Sequence, residues 1–140
     1  MPNGRATFLR GGGPPGSDME NSTADARSFL ERAFTTLFDP LATERDMLKF
    51  FSPDYRQDLN GKVYTFRQFI DGVSEMKALL RSSRIVFTSV VSGGGTIAEI
   101  HVVDAVRKDG TPLKFKVIAF QTIEGGRIAR AEELNCPLPG

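Results

Sequence analysis

Beyond Arg84 the chain consists of four runs of β-type sequence joined by short turns, and this pattern limits the possible folds more than any other. The runs are rich in Val, Ile, Thr and Phe, which favour strands, and they cover residues 84–91, 96–107, 112–123 and 127–134. The connections between them are short and rich in glycine, which is typical of hairpin turns. The sequence therefore predicts an antiparallel meander in this part of the chain.

The residues before this meander have the apolar spacing of helices. We predict a first helix from Ser22, whose side chain can cap it, to Asp39, which precedes a proline. A second, shorter helix runs from Thr43 to Ser52, and a third begins at Thr65 with the capping-box sequence Thr-Phe-Arg-Gln. Because an antiparallel sheet buries one face against such helices, the chain is expected to fold as an α+β domain.

Between the second and third helices, residues 54–59 alternate between two kinds of side chain. Arg56 and Asp58 share one face of a predicted short strand, which belongs in water. Tyr55 and Gln57 share the other face, where their hydroxyl and amide would be costly in a dry core. A strongly twisted sheet wrapped around helices leaves a hollow, and there a ligand or water can satisfy these groups.

Polar residues also interrupt the strands of the meander. His101, the only histidine of the chain, lies in the middle of an apolar strand, where both a structural and a catalytic role are open. In the adjacent pair Glu132 and Glu133, one side chain must point to the covered face of the sheet. The alanines before them favour Glu133, whereas a bulge after the preceding glycines would select Glu132. We therefore expect His101 and Glu133 to share one cavity with the polar face of residues 54–59.

The composition argues against several classes of function. The chain has 140 residues and a formal net charge of +1 without a block of one sign, which disfavours nucleic-acid binding and a polybasic membrane anchor. One His and one Cys do not suffice for a metal site built on these residues, nor for a disulfide framework. No apolar run approaches the ~20 residues of a membrane-spanning helix, and the start has no apolar signal segment. We expect a cytoplasmic protein without a metal or cofactor.

The N-terminal part differs in composition from the rest of the chain. Residues 1–22 contain a Gly-Gly-Gly-Pro-Pro stretch and only scattered apolar residues, so they cannot bury enough surface to offset the entropy lost on ordering. We predict a flexible tail over residues 1–22, one domain over residues 23–136 and a short C-terminal end over residues 137–140.

Three segments of the domain have an order of helices and strands that is shared by a known family. They are FSPDYRQDLNGKVYTFRQFIDGV, IAEIHVVDAVRKDG and KVIAFQTIEGGRIARAEEL. Together they resemble the nuclear transport factor 2-like superfamily, in its SnoaL-like, or polyketide cyclase-like, branch, from about residue 24 to residue 135. The resemblance implies a cone-shaped roll, in which three N-terminal helices and a strongly curved, mainly antiparallel sheet enclose a pocket. It also implies an apolar, oxygenated small molecule as the ligand.

One hypothesis that follows from this resemblance is a proton-transfer enzyme of the isomerase, cyclase or dehydratase type. His101 and Glu133 would be the catalytic residues, with His101 as general base held in its tautomer by Glu133 or Asp104. Tyr55 and Gln57 would bind the substrate and donate hydrogen bonds to a developing enolate or carbonyl oxygen. This chemistry requires neither a metal nor a cofactor.

The alternative hypothesis is a ligand-binding or dimerisation module without catalysis, since one fold can serve either purpose. Phe120 is expected to line the pocket and to bind the substrate, and a pocket filled by Phe120, Phe115 and Phe87 would favour the binding module. Two of the predicted strands carry apolar residues on both faces, whereas helices can cover only one. We therefore expect a homodimer that forms through the outer face of the sheet.

Overall fold

The computed structural model describes the backbone of residues 15–139 and the side chains of residues 23–139. Within this range, helices pack on one face of a six-stranded sheet, so the predicted α+β class is confirmed. The helices are α1 (Pro15–Phe38), α2 (Glu44–Met47) and α3 (Phe66–Leu79). The strands are β1 (Phe51–Leu59), β2 (Lys62–Thr65), β3 (Leu80–Gly93), β4 (Thr96–Arg107), β5 (Pro112–Glu124) and β6 (Arg127–Pro137).

The sheet has the strand order β2-β1-β6-β5-β4-β3. Strands β3 to β6 form the predicted antiparallel meander, while β1 pairs with β6 in parallel. The short strand β2 was not predicted from the sequence. It forms because Asn60 and Gly61 adopt φ values of 53° and 88°, a left-handed pair that makes a two-residue turn and returns the chain along β1.

Capping boxes fix the starts of α2 and α3 at the predicted threonines, Thr43 and Thr65. In each box the threonine hydroxyl accepts a hydrogen bond from the backbone N–H of the third helical residue, which is Asp46 or Gln68. The side chain of that residue accepts a hydrogen bond from the threonine N–H in return, at 2.9 Å in both helices. The apolar face of α3 is buried as its spacing predicts, through Phe66, Phe69, Ile70 and Val73.

Helix α1 is longer than the sequence predicts. It begins at Pro15 rather than at Ser22, because a proline is compatible with the first turn of a helix, where no backbone N–H is needed. The remainder of the predicted tail, residues 1–14, lies outside the described residues. Neither α1 nor another helix in the described range is long and apolar enough to cross a lipid bilayer.

The second helix is shorter than predicted. It does not continue to Ser52 but ends at Met47, and the chain enters β1 at Phe51. The backbone N–H of Ile128 donates a 2.7 Å hydrogen bond to the carbonyl of Phe50, which ties this segment to β6. Pairing with the sheet thus ends the helix at an earlier residue than the apolar pattern of the sequence indicates.

Helices α1 and α3 cover one face of the sheet, which we call the concave face. Helix α1 lies against β3, where the rings of Phe34 and Phe87 meet edge to face at 5.3 Å. Helix α3 lies against β1 and β2, where the rings of Phe69 and Tyr55 are 4.8 Å apart. Leu30 of α1 is completely buried in the core between them.

The strand register shifts at several places, and two of these bulges affect the core. On β3 the register shifts after Phe87, so that both Phe87 and Val90 are buried. On β6, Ala129 is the extra residue, since its neighbours on both sides pair with consecutive residues of β5. Ile128 and Ala131 consequently both face the core, although a regular strand would place them on opposite faces.

Candidate functional site

A cavity of about 270 Å³ lies between the concave face of the sheet and helices α1 and α3. This volume is near the lower end of the range for ligand pockets, about 300–1,000 Å³, and suits a small molecule. The aromatic part of its wall consists of Phe34, Phe38, Tyr55, Tyr64, Phe69 and Phe115. The polar groups on its surface come from Gln57, Gln68, His101, Glu133 and Asn135.

Five polar side chains cross the concave face beneath this cavity, one after another, and we call them the polar belt. They are Glu99 and His101 on β4, Gln121 on β5, Glu133 on β6 and Gln57 on β1. The first four are buried, and Gln57 is half-buried. These side chains lie close together because each occupies an inward-facing position of its strand, and these positions are near one another in the register of the sheet.

Hydrogen bonds connect the polar belt from end to end. The ring nitrogen Nδ1 of His101 lies 2.8 Å from Oε1 of Glu99. The amide Nε2 of Gln121 donates to Oε2 of Glu99 at 3.1 Å and, more weakly, to Oε2 of Glu133 at 3.5 Å. The amide Nε2 of Gln57 donates to Oε1 of Glu133 at 2.7 Å. Two buried carboxyl groups are thus held by two side-chain amides and one imidazole.

The contact with Glu99 influences the tautomer of His101. A carboxylate at 2.8 Å from Nδ1 favours the tautomer in which Nδ1 carries the proton. Nε2 is then the unprotonated nitrogen of the neutral ring. The ring itself is held by Phe34 and Phe87, whose centroids lie 5.1 and 5.2 Å from its own.

The environment of Glu133 raises its pKa. Burial raises the pKa of Glu133 above the ordinary value, and the nearby charge of Glu99 adds to this effect. The amide of Gln57 and the charge of His101 act in the opposite direction without cancelling it. Glu133 is therefore a buried carboxyl group that holds its proton more firmly than an exposed glutamate does.

The hydroxyl of Tyr55 is kept protonated. Burial raises the pKa of Tyr55 well above its ordinary value, and the charges of Glu133 and Glu99 raise it further. Its ring is fixed by Phe51, at 5.2 Å and nearly perpendicular, and by Phe69. Tyr55 therefore presents a fixed hydrogen-bond donor at the wall of the cavity.

The structure places four of the predicted site residues on this one cavity: Tyr55, Gln57, His101 and Glu133. Of the two adjacent glutamates, Glu133 is buried and Glu132 is exposed. A bulge does follow the glycines, as the sequence left open, but the strand is regular again before Ala131 and so keeps Glu133 on the concave face. The roles of these residues in binding or catalysis remain predictions.

Several predicted placements are wrong. Phe120 does not line the pocket: it is 55% exposed on the outer face of the sheet, because its neighbours Ala119 and Gln121 take the inward positions. The residue at Nδ1 of His101 is Glu99, not Glu133 or Asp104 as predicted. Asp104 is exposed, and its position on β4 has the opposite parity. Of the three phenylalanines that were expected to fill the pocket, only Phe115 lines it.

The sequence analysis missed Glu99 and Gln121. The alternation of side chains along a strand could have indicated Glu99, because this residue lies two positions before His101 on the same strand and therefore on the same face. Gln121 follows the buried Ala119 by the same spacing. Within the described residues, no group of three or more His, Cys, Asp and Glu side chains could hold a metal ion.

Comparison with known sequences identifies one clear relative. An uncharacterized protein of Schizosaccharomyces pombe is 31% identical to this chain over 116 residues, which cover 83% of the chain and 89% of the relative. No protein-family model matches the chain.

Solved structures share the fold at low sequence identity. AclR from Streptomyces galilaeus, a proposed hydroxylase, has a TM-score of 0.71 at 10% identity and covers 84% of this chain and 82% of its own. IdmH from Streptomyces antibioticus, a proposed polyketide cyclase, has a TM-score of 0.67 at 11% identity, with 78% and 90% covered. An NTF2-like protein of unknown function from Exiguobacterium sp. 255-15 has a TM-score of 0.63 at 17% identity, with 80% and 99% covered. The chain thus belongs to the same family as the fission yeast protein and has the fold of the nuclear transport factor 2-like superfamily, as its sequence resemblance implies.

Proposed function

We propose that the protein is a small pocket enzyme that transfers protons on an apolar, oxygenated small molecule, as isomerases, cyclases and dehydratases do. The observation that supports this function most is that His101, hydrogen-bonded to Glu99, lines an aromatic cavity that is also lined by the buried Glu133. A base and an acid in one apolar site are the groups that acid–base catalysis requires. IdmH is a proposed polyketide cyclase with this fold, which is consistent with such a reaction.

In the proposed reaction, Nε2 of His101 removes a proton from the carbon next to a substrate carbonyl. The electron pair of the broken C–H bond moves toward the carbonyl oxygen and forms an enolate, to which the hydroxyl of Tyr55 donates a hydrogen bond. Glu99 stabilises the imidazolium that His101 becomes. Gln57 holds the carboxyl group of Glu133 beside the substrate.

The enolate can then react in three ways that these residues support. In an isomerase, the imidazolium of His101 returns the proton to a different carbon. In a cyclase, the enolate carbon forms a bond to a second carbonyl carbon of the same molecule, whose oxygen takes a proton from Glu133. In a dehydratase, Glu133 protonates a hydroxyl group on the carbon next to the enolate carbon. The C–O bond then breaks, water leaves, and the electron pair of the enolate forms a carbon–carbon double bond.

Retention of a ligand by the purified protein tests the pocket. The full chain is incubated with a metabolite extract, and the retained compounds are identified by mass spectrometry. Val117 lines the cavity and is buried, so Val117→Trp, shown by circular dichroism to be folded, is a suitable variant with a filled cavity. We expect the wild type, but not this variant, to retain an apolar carbonyl or hydroxyl compound. Equal retention by both proteins would contradict a ligand site in the cavity.

The outer face of the sheet supports the second candidate function, a dimerisation module, and a homodimer is compatible with catalysis as well. Ile118 and Leu134 are neighbours in the register of β5 and β6 and are 48% and 64% exposed. Phe120 and Val91 extend the same apolar surface. A second copy of the chain would cover this surface.

A further inference from the structure

The cavity is poor in positive charge. Among the described residues that line it, none is Lys or Arg, and the titratable groups are Tyr55, Tyr64, His101 and Glu133. Behind His101 lies a second carboxyl group, that of Glu99, whose side chain is fully buried. A positive charge on His101 would therefore face two carboxyl groups, those of Glu99 and Glu133, and could balance only one of them.

The polar belt also has more hydrogen-bond acceptors than donors. Nε2 of Gln121 is shared between Glu99 and Glu133. Oε1 of Gln121 is buried and, within the described part of the chain, has no hydrogen-bond partner. A buried acceptor of this kind adds to the negative potential that the carboxyl groups create.

We infer that the cavity selects its ligands by charge, and that Glu133 is the residue that makes it accept uncharged molecules and reject carboxylates. This inference rests on the ligand pocket of the proposed function and narrows its substrate class. Once Glu133 is ionised, an anionic group beside it is repelled at short range, and no Lys or Arg among the described residues of the cavity wall compensates. A ketone or alcohol brings no such charge, and it can use the hydroxyl of Tyr55 as a donor.

Two probes of the same shape test this selection: 2-acetylnaphthalene, which is uncharged, and 2-naphthoate, in which a carboxylate oxygen replaces the methyl group. Binding of each to the full chain is measured by titration calorimetry at about pH 8. We expect 2-naphthoate to bind at least about tenfold more weakly than the ketone. Glu133→Gln removes the charge and keeps the shape, so the two affinities should then agree within about threefold.

The control is Glu132→Gln, which removes the neighbouring charge on the outer face and should keep the tenfold difference. Circular dichroism establishes that each variant is folded. If Glu133→Gln does not fold, Glu99→Gln takes its place. This variant should also reduce the difference in affinity between the two probes.

The outcomes distinguish this inference from the proposed function. Equal affinity of the wild type for both probes overturns the charge selection and leaves the ligand pocket in place. A difference in affinity between the two probes that persists in Glu133→Gln overturns the role of Glu133 in the charge selection. Failure of both probes to bind any folded variant overturns the ligand pocket and the selection together.

Discussion

At the scale of single residues, the site depends on how each polar group of the polar belt is held. Glu99 fixes the tautomer of His101, and Gln57 and Gln121 hold the carboxyl group of Glu133. Sequence parity identifies His101 and Glu133, since each interrupts an apolar strand. It does not indicate which carboxylate contacts the histidine, because that depends on side-chain rotamers and on the residues of neighbouring strands.

Replacing Glu99 by Gln should lower catalysis without weakening substrate binding. The substitution keeps an acceptor near Nδ1 of His101 but removes the charge that stabilises the imidazolium. We expect kcat to fall about tenfold to a hundredfold while KM changes little, measured by steady-state kinetics on an enolisable ketone. A rise in KM at unchanged kcat would instead assign Glu99 a role in binding.

Replacing Glu133 by Gln should change the pH dependence of stability. Because the pKa of Glu133 is raised above 4.5, the folded protein binds this proton more tightly than the unfolded chain does. The resulting stabilisation is present below the ordinary pKa and is lost as the pH rises through the raised pKa. We therefore expect Glu133→Gln to melt about 2–4 °C above the wild type at about pH 8 and close to it at about pH 4.

The matched control for this prediction is Glu132→Gln, which alters an exposed glutamate on the other face. Its melting temperature should follow that of the wild type at both pH values. A Glu133→Gln variant that is less stable at about pH 8 would show that the hydrogen bonds of the carboxylate outweigh the cost of its burial.

At the scale of elements, the sequence predicts the long strands and the capped helices well. The meander appears where β-branched runs alternate with glycine turns, and the capping box at Thr65 starts α3. The errors fall where tertiary contacts override the local pattern. Phe51 continues an apolar helical spacing but enters β1, and the four-residue strand β2 exists only because β1 is there to pair with it.

Removing the capping hydroxyl of α3 should destabilise the domain. Thr65→Ala leaves the backbone N–H of Gln68 without its side-chain acceptor at the helix start. The expected loss is about 1 kcal/mol, which corresponds to a fall of about 2–4 °C in melting temperature. Ser74→Ala, on the exposed face of the same helix, is the control and should have no destabilising effect. Equal stabilities of the two variants would contradict the contribution of the cap.

At the scale of the whole molecule, the sheet has two different surfaces. Its concave face carries the cavity and the polar belt beneath α1 and α3, whereas its outer face exposes a row of apolar side chains. The resemblance in sequence predicts the enclosed pocket from the family fold. It does not predict which phenylalanines line the pocket, since a shift of one residue exchanges the two faces, as the position of Phe120 demonstrates.

A charge on the outer face should prevent self-association. We expect the wild type to be a dimer at micromolar concentration and Phe120→Asp to be a monomer, because the substitution places a carboxylate in the apolar surface. Leu41→Asp alters a side chain that is 87% exposed outside the sheet, and this control should remain a dimer. Sedimentation equilibrium measures all three, and a monomeric wild type would refute the homodimer.

Hydrogen exchange on an enolisable ketone tests proton transfer by the residues of the polar belt. The full chain is mixed with 2-tetralone in D2O, and the loss of the protons next to the carbonyl is followed by NMR. We expect exchange well above the buffer rate for the wild type and for Glu132→Gln. For His101→Gln we expect a rate that is lower than that of the wild type by at least about a hundredfold. Exchange at the buffer rate in the wild type, or an unchanged rate in His101→Gln, would contradict this proton transfer.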